Sequence, residues 1–154
     1  MTSRPLFACL LSLGMGACGV LPWFDGRDRD LRELDRQEKD WRAQQIRAYV
    51  FEYTRSCFCG PETLRRVRID VRGDTVFRVT DVQLGTDVTR VPFANWPTID
   101  SLFVSARRVI TNDEWKYEID YDPTFHYVRR VSGDIPNAAD DEFVETVHTF
   151  ARSP

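Results

Sequence analysis

The chain has 154 residues, of which 42% are hydrophobic and 29% charged, a balance typical of a folded domain and not of a disordered chain. This length supports one domain with a real core and is too short for two comfortable ones. The net charge is −3, with basic and acidic residues interspersed, so we expect no nucleic-acid partner.

The first 17 residues have the layout of a secretory signal peptide. A positive charge at Arg4 precedes an apolar run, Leu6 to Met15, which is too short to span a bilayer as a helix. Two small residues then precede Cys18. The sequence therefore predicts export through a signal peptide over residues 1–17.

Cys18 is the predicted lipid-attachment site, through which the protein would be anchored to the membrane. Its surroundings resemble a bacterial lipoprotein signal, with Met15 at the position where that signal usually has leucine. Gly19 rather than aspartate follows, and the resemblance to enterobacterial lipoproteins then implies the outer membrane, with the domain facing the periplasm. Residues 18–30 are expected to form the lipidated cysteine and a tether. The alternative is ordinary signal cleavage, with Cys18 as a spare thiol.

A charged helix is predicted over residues 31–48. Asp30 and Glu33 match a capping box, and Trp41 lies on a narrow apolar stripe that would face a sheet. An aromatic strand follows at once, from Tyr49 to Cys59, because Tyr49, Phe51 and Tyr53 stand at every second position and the two cysteines are in phase with them.

Two further strands are predicted over residues 64–72 and 75–84, joined by a turn at Gly73-Asp74. A two-residue loop would place Val76 on the same face as Val71. A three-residue loop would instead turn Phe77 and Val79 towards the core. The second register buries more apolar area, so it is the one we expect.

The second half of the chain begins with a long connection over residues 85–98. Phe93 and Trp96 are expected to hold this loop against the domain, and the alternative is that they contact a ligand. Thr98 then caps a second helix with a regular apolar period. The remaining predicted elements are strands over residues 115–121 and 125–132 and a last helix over residues 140–151.

These elements predict an α+β fold in the order α-β-β-β-α-β-β-α, as a single domain over residues 31–154. About five strands would form one antiparallel sheet with helices packed on one face. The residues expected to be buried together are Trp41, Tyr53, Ile69, Leu102, Phe103, Tyr117, Ile119 and Phe143.

Several segments together carry a family resemblance: the aromatic strand ending in CFC, the VRG turn, PTIDSLF, YDPTFHYVRRVSGD and ADDEF. Between Trp41 and Phe150 the chain resembles a bacterial domain-of-unknown-function family found in small secreted proteins and lipoproteins. The chain departs from the family's pattern at His126 and Val128, where the family tends to show glycine and proline. The resemblance implies no activity.

Cys57 and Cys59 form a C-x-C pair that has three interpretations: a small disulfide, a redox pair, or two ligands of a soft metal. An exported chain meets an oxidising compartment, which favours the disulfide. In an extended strand the two Cα atoms would lie roughly 6.6–6.8 Å apart, at the upper limit for a disulfide. The bond therefore requires a kink before Gly60-Pro61.

Other candidate groups have simpler explanations. His126 and His148 have no metal-motif spacing to the cysteines, and we expect His126 to be exposed near a turn. Acidic residues crowd two segments, and glycosidases use paired carboxylates, but solvated strands also carry them. For Asp140 and Asp141 we expect a role at the N-terminus of the last helix. The sequence carries no GxSxG, Walker, HExxH or dinucleotide motif.

These observations favour a non-catalytic envelope lipoprotein, a binding or accessory module without a cofactor or metal and with an envelope protein as candidate partner. The alternative is a thiol-redox or copper-handling protein that uses Cys57 and Cys59. The redox state of this pair and its affinity for Cu(I) separate the two hypotheses.

Overall fold

The computed structural model describes residues 26–153. The predicted signal peptide, Cys18 and the first part of the tether lie outside the described residues. The helices are α1 (Gly26–Ala43) and α2 (Ile99–Thr111), and the strands are β1 (Ala48–Cys57), β2 (Val67–Arg72), β3 (Thr75–Asp81), β4 (Lys116–Tyr121), β5 (Val128–Asp134) and β6 (Phe143–Arg152). Two short 3-10 helices, Pro61–Thr63 and Phe93–Asn95, lie in the connections.

The six strands form one open antiparallel sheet in the order β3-β2-β1-β6-β5-β4. The prediction of an α+β fold with a single antiparallel sheet is therefore confirmed. The first and last strands of the domain, β1 and β6, lie side by side at the centre of the sheet. Formation of this sheet therefore requires strands from the two ends of the domain to pair.

The prediction of a helix over residues 140–151 is wrong, because this segment is the central strand β6. A register shift lies where β6 pairs with β1: Tyr53 faces Val147, whereas Glu52 faces Thr149. His148 is thus an extra residue, and the β-bulge moves the inward positions from Val147 to Phe150. Apolar residues at positions 143, 147 and 150 imitate a helical period for this reason.

The expected register of the β2–β3 hairpin is also wrong. Arg72 pairs with Thr75, so the turn contains the two residues Gly73 and Asp74, both with positive φ. A register shift further along the pair then brings Val76 and Val79 both to the buried face. Phe77 is left 53% exposed, and the guanidinium of Arg72 lies 3.8 Å from the centre of its ring.

Helix α1 begins at Gly26, so residues 26–30, which the sequence assigns to the tether, are helical. Arg27 links this end of the helix to the C-terminal end of α2. Its Nη1 donates hydrogen bonds to the carbonyl oxygens of Val109, Ile110 and Asn112 at 3.1, 2.7 and 3.0 Å. A cation at these carbonyls also satisfies groups that a helix C-terminus leaves unpaired.

Helix α2 begins where the sequence predicts. The hydroxyl of Thr98 accepts a hydrogen bond from the Ser101 amide, and the Ser101 hydroxyl accepts one from the Thr98 amide. The apolar residues that recur with the helical period are all buried: Ile99, Leu102, Phe103, Ala106, Val109 and Ile110. No helix within residues 26–153 is both long and apolar enough to cross a membrane.

The core lies between the two helices and one face of the sheet. Five of the residues expected there are buried, and the other three are half-buried and pack against the same cluster: Trp41, Tyr53, Ile69, Leu102 and Phe103, then Tyr117, Ile119 and Phe143. Trp41 anchors α1, as its ring meets those of Tyr49 and Phe150 edge-on at 5.6 and 5.7 Å.

Candidate ligand-binding site

A cavity of about 490 Å³ opens beside helix α2. Its walls are one side of α2, the loop that leads into α2, and the sheet around Arg55 and Glu145. Val76, Phe93 and Pro97 give the walls much of their apolar surface. This volume is in the range of small-molecule sites in proteins.

An ion pair between Arg55 and Glu145 lies on the cavity wall. Arg55 on β1 is paired in register with Glu145 on β6. The Arg55 Nη2 donates to a Glu145 carboxylate oxygen at 2.7 Å, and the hydroxyl of Tyr53 donates to the same oxygen at 2.6 Å. The Glu145 side chain is only 5% exposed and that of Arg55 29%. The pair therefore holds the guanidinium in a fixed position at the cavity wall.

Tyr53 completes this cluster as a neutral donor. Burial raises the pKa of the Tyr53 phenol, with the negative charge of Glu145 acting in the same direction. The phenol therefore keeps its proton at neutral pH and donates it to Glu145. Its oxygen also accepts a hydrogen bond from Arg55 Nε at 3.0 Å.

Part of the Arg55 guanidinium remains available for a ligand. The Nε–H group and one N–H of Nη2 are used by Tyr53 and Glu145. The Nη1 atom makes no hydrogen bond or ion pair within residues 26–153. A guanidinium has five N–H donors in a planar fork, so the edge between Nη1 and Nη2 can still receive an acceptor.

Trp96 also lines the cavity. The side chain is predicted to hold the loop against the domain, and it is indeed only 5% exposed. Its Nε1 is buried and has no hydrogen-bond partner among the described residues. A buried unpaired N–H is costly and uncommon in proteins. Phe93, the other residue expected to hold the loop, is instead 46% exposed at the cavity.

Helix α2 presents a row of hydroxyl groups to the same cavity, from Thr98, Ser101 and Ser105. The first two are occupied in capping the helix. The Ile99 amide donates to the hydroxyl of Tyr49 at 3.0 Å, and burial raises the pKa of that phenol. The half-buried Ser105 makes no side-chain hydrogen bond within residues 26–153 and can face a ligand.

The lining of this cavity combines hydrogen-bond donors, carboxylates and apolar side chains. Its donors belong to Arg55 and Ser105, and its carboxylates to Glu145 and to Asp74 in the β2–β3 turn. No histidine or cysteine of the described chain lines it. Glu145 is already engaged by two donors, which leaves it tied to its own neighbours.

Cys57 and Cys59 lie elsewhere, at the end of β1. Their sulfur atoms are within disulfide distance, and their Cα atoms are 5.3 Å apart. The separation is shorter than in an extended strand because the chain turns here: the Cys59 amide donates to the Cys57 carbonyl at 2.8 Å. Strand β1 accordingly ends at Cys57, and Phe58 is 77% exposed.

The hydrogen-bond partners of the two histidines are residues other than the cysteines. His126 is half-buried rather than exposed, and its Nδ1 lies 3.0 Å from the Oε1 of Gln37. His148, at the bulge of β6, lies with its Nε2 2.9 Å from the hydroxyl of Thr54. Within residues 26–153, no group of three or more His, Cys, Asp or Glu side chains is placed to hold a metal ion.

The acidic residues near the C-terminus have a local structural role that differs from the expected one. Asp140 and Asp141 precede a strand rather than a helix. Asp141 accepts a hydrogen bond from the Ile135 amide at 2.7 Å, which closes the loop between β5 and β6. In the other acidic segment, Glu118 and Asp120 are exposed positions on β4, as a solvated strand face predicts.

Sequence reasoning did not identify Arg55, Glu145 and Trp96 as parts of one site. Arg55 and Glu145 are 90 positions apart in the chain. The available signal is a charged residue at the inward position of a strand, since Arg55 continues the alternation of Phe51 and Tyr53. Glu145 carries no such signal, because the apolar spacing of its segment predicts a helix and not a strand.

The fold and the cavity together define a small α+β protein with an open antiparallel sheet and a cavity beside α2 with an ion pair on its wall. The chain belongs to the family DUF6174, described as a family of unknown function, whose sequence model matches residues 33–152. No curated protein matches the chain, and no solved structure does.

Proposed function

We propose that this protein is a cell-envelope lipoprotein, anchored to the membrane through Cys18, whose domain is a non-catalytic module that binds a ligand or the side chain of an envelope partner. The observation that carries the binding role is the cavity beside α2, with a guanidinium fixed at its wall and apolar surface around it. The signal-like layout of residues 1–18 supports the anchor, and Gly19 after the cysteine supports the outer-membrane location.

Photo-crosslinking in the native envelope tests the binding role. A benzophenone amino acid replaces Phe93, which is 46% exposed at the cavity, or Val104, which is 68% exposed on α2 and does not line it. We expect one defined adduct from position 93 and none of the same mass from position 104. Equal labelling from both positions, or none from position 93, contradicts a cavity that holds a ligand.

Fractionation tests the anchor. Cys18→Ala should leave an unprocessed precursor or release the protein from the outer-membrane fraction, and globomycin should have the first effect on the wild-type chain. If Cys18→Ala is processed and fractionates like the wild type, the proposed lipid anchor is wrong.

A further inference from the structure

The large apolar side chains that the domain leaves exposed are concentrated at one end of the sheet. Within residues 26–153 there are seven such side chains, and four of them lie in the two loops that follow β1 and β3: Phe58, Leu64, Val82 and Leu84. Phe58 and Leu84 are 77% and 61% exposed. Grouped apolar side chains of this kind mark a surface that meets a partner or a membrane.

The two loops lie against each other. The Val82 amide donates a hydrogen bond to the carbonyl oxygen of Arg66 at 3.0 Å, which joins one loop to the other. The strands that lead into the loops are also aligned, since Val67 on β2 pairs with Tyr53 on β1 and with Asp81 on β3. The four exposed side chains therefore belong to one surface, which we call the apolar end.

Helix α1 begins at the same end of the sheet. One row of paired residues crosses four strands: Cys57 on β1, Phe143 on β6, Gly133 on β5 and Tyr117 on β4. Arg27, in the first turn of α1, donates from Nη2 to the carbonyl oxygen of Trp115 at 2.8 Å, just before β4 begins. Neighbouring strands lie about 4.8 Å apart, so β4 is roughly 14 Å from β1.

The predicted lipid-attachment site is a short length of chain away from this end. Seven residues separate Cys18 from Gly26, and even a fully extended chain of that length spans at most about 29 Å. A domain of this size is roughly 35 Å across. A lipid anchor at Cys18 therefore keeps the apolar end next to the membrane, and not the opposite end with the β2–β3 turn.

Charge does not draw the apolar end towards an anionic surface. Arg65 and Arg66 in the first loop form ion pairs with Asp81 and Glu52. Residues 140–142, which precede β6 at this end of the sheet, are all acidic. A contact with lipid is therefore apolar, with the exposed side chains removed from water among the headgroups and upper acyl chains.

We propose that the apolar end contacts the membrane, with Phe58 and Leu84 inserted into the phospholipid layer that holds the anchor. The proposal rests on the proposed function, because the anchor brings this end of the domain to the lipid. Tethering makes the second contact intramolecular, so a few apolar side chains are sufficient to dock a domain that they would not hold on a membrane alone.

Photo-crosslinking to lipid in the full-length chain tests the proposal. A benzophenone amino acid replaces Phe58 or Leu84 at the apolar end, or the exposed controls Phe77 on β3 and Val104 on α2. Growth with radioactive phosphate labels the phospholipids, whereas the acyl chains of an anchor carry no phosphate. After irradiation we expect radioactive protein from positions 58 and 84 and only background from positions 77 and 104.

A substitution measures the apolar contribution. With the benzophenone at position 84, Phe58→Ser should reduce phospholipid labelling about three- to tenfold, because one aromatic ring no longer leaves water. Val104→Ser is the matched control, at a comparably exposed apolar residue, and should leave the labelling unchanged. Purified full-length protein should label equally in phosphatidylcholine vesicles with and without phosphatidylglycerol, because the contact is apolar.

Four results overturn the proposed membrane contact: control positions that label as strongly as position 58, adducts of position 58 with a protein instead of a phospholipid, no effect of Phe58→Ser, or labelling that requires phosphatidylglycerol. Fractionation of Cys18→Ala reports on the anchor separately. A confirmed anchor without phospholipid labelling at position 58 removes only the membrane contact. If Cys18→Ala fractionates like the wild type while position 58 still labels phospholipid, the contact stands and the anchor is wrong.

Discussion

Gly133 on β5 is the position where a single methyl group should be most disruptive. It is paired with Tyr117 on one side and Phe143 on the other. A Cβ atom added there would lie 2.5 Å from Cε3 of Trp115 and 2.8 Å from Cε1 of Phe143. These two rings meet edge-on with centroids 5.5 Å apart and occupy the space that a side chain at position 133 would need.

Gly133→Ala therefore forces one ring or the strand to move. Overpacking of this kind costs about 1–3 kcal/mol, which lowers the melting temperature of a domain of this size by several degrees. Urea unfolding followed by tryptophan fluorescence measures the free energy of unfolding, and an unchanged m-value shows that only stability has changed.

Gly60→Ala is the matched control. A Cβ atom there meets nothing within 4 Å, and its φ of −60° suits alanine, so the change should be neutral or slightly stabilising. Trp115→Leu should relieve Gly133→Ala, so that the double variant loses less than the sum of the single ones. A Gly133→Ala protein within about 0.5 kcal/mol of the control refutes this packing argument.

The remaining predictions concern the core, the cysteines and one histidine. Leu102→Ala should cost about 2–5 kcal/mol in urea unfolding because its side chain is buried; a loss well below 1 kcal/mol would remove α2 from the core. Cys57 and Cys59 should be joined in exported protein, adding about 1.5 kcal/mol on the loop-entropy account. Intact-mass analysis after alkylation without reductant checks this, and two alkylated cysteines would favour the thiol or copper alternative. Partial desolvation, with the charge of Arg66 nearby, lowers the pKa of His148, so the unfolded chain binds the proton more readily. The free energy of unfolding should then fall as the pH drops below about 6.5, and His148→Gln should lose that component; identical pH profiles for both proteins would contradict it.

Local sequence signals were sufficient wherever one element carries its own boundaries and period. Helix α2 is the clearest case, since Thr98 and Ser101 cap it and its apolar residues recur with the helical period. The alternation of Phe51 and Tyr53 likewise determines the inward face of β1. Both patterns can be recognised within a single segment of sequence.

The tertiary structure decided what depends on pairing between distant strands. The bulge at His148 shifts the inward positions of β6 and makes a central strand look helical. The register shift in the β2–β3 hairpin leaves Phe77 outside while Val76 and Val79 both reach the core. The cavity depends on the same pairing, since Arg55 and Glu145 meet only because β1 and β6, at opposite ends of the domain, lie side by side. A bulge is chosen by the partner strand and by burial on one face, and neither quantity is present in a single segment of sequence.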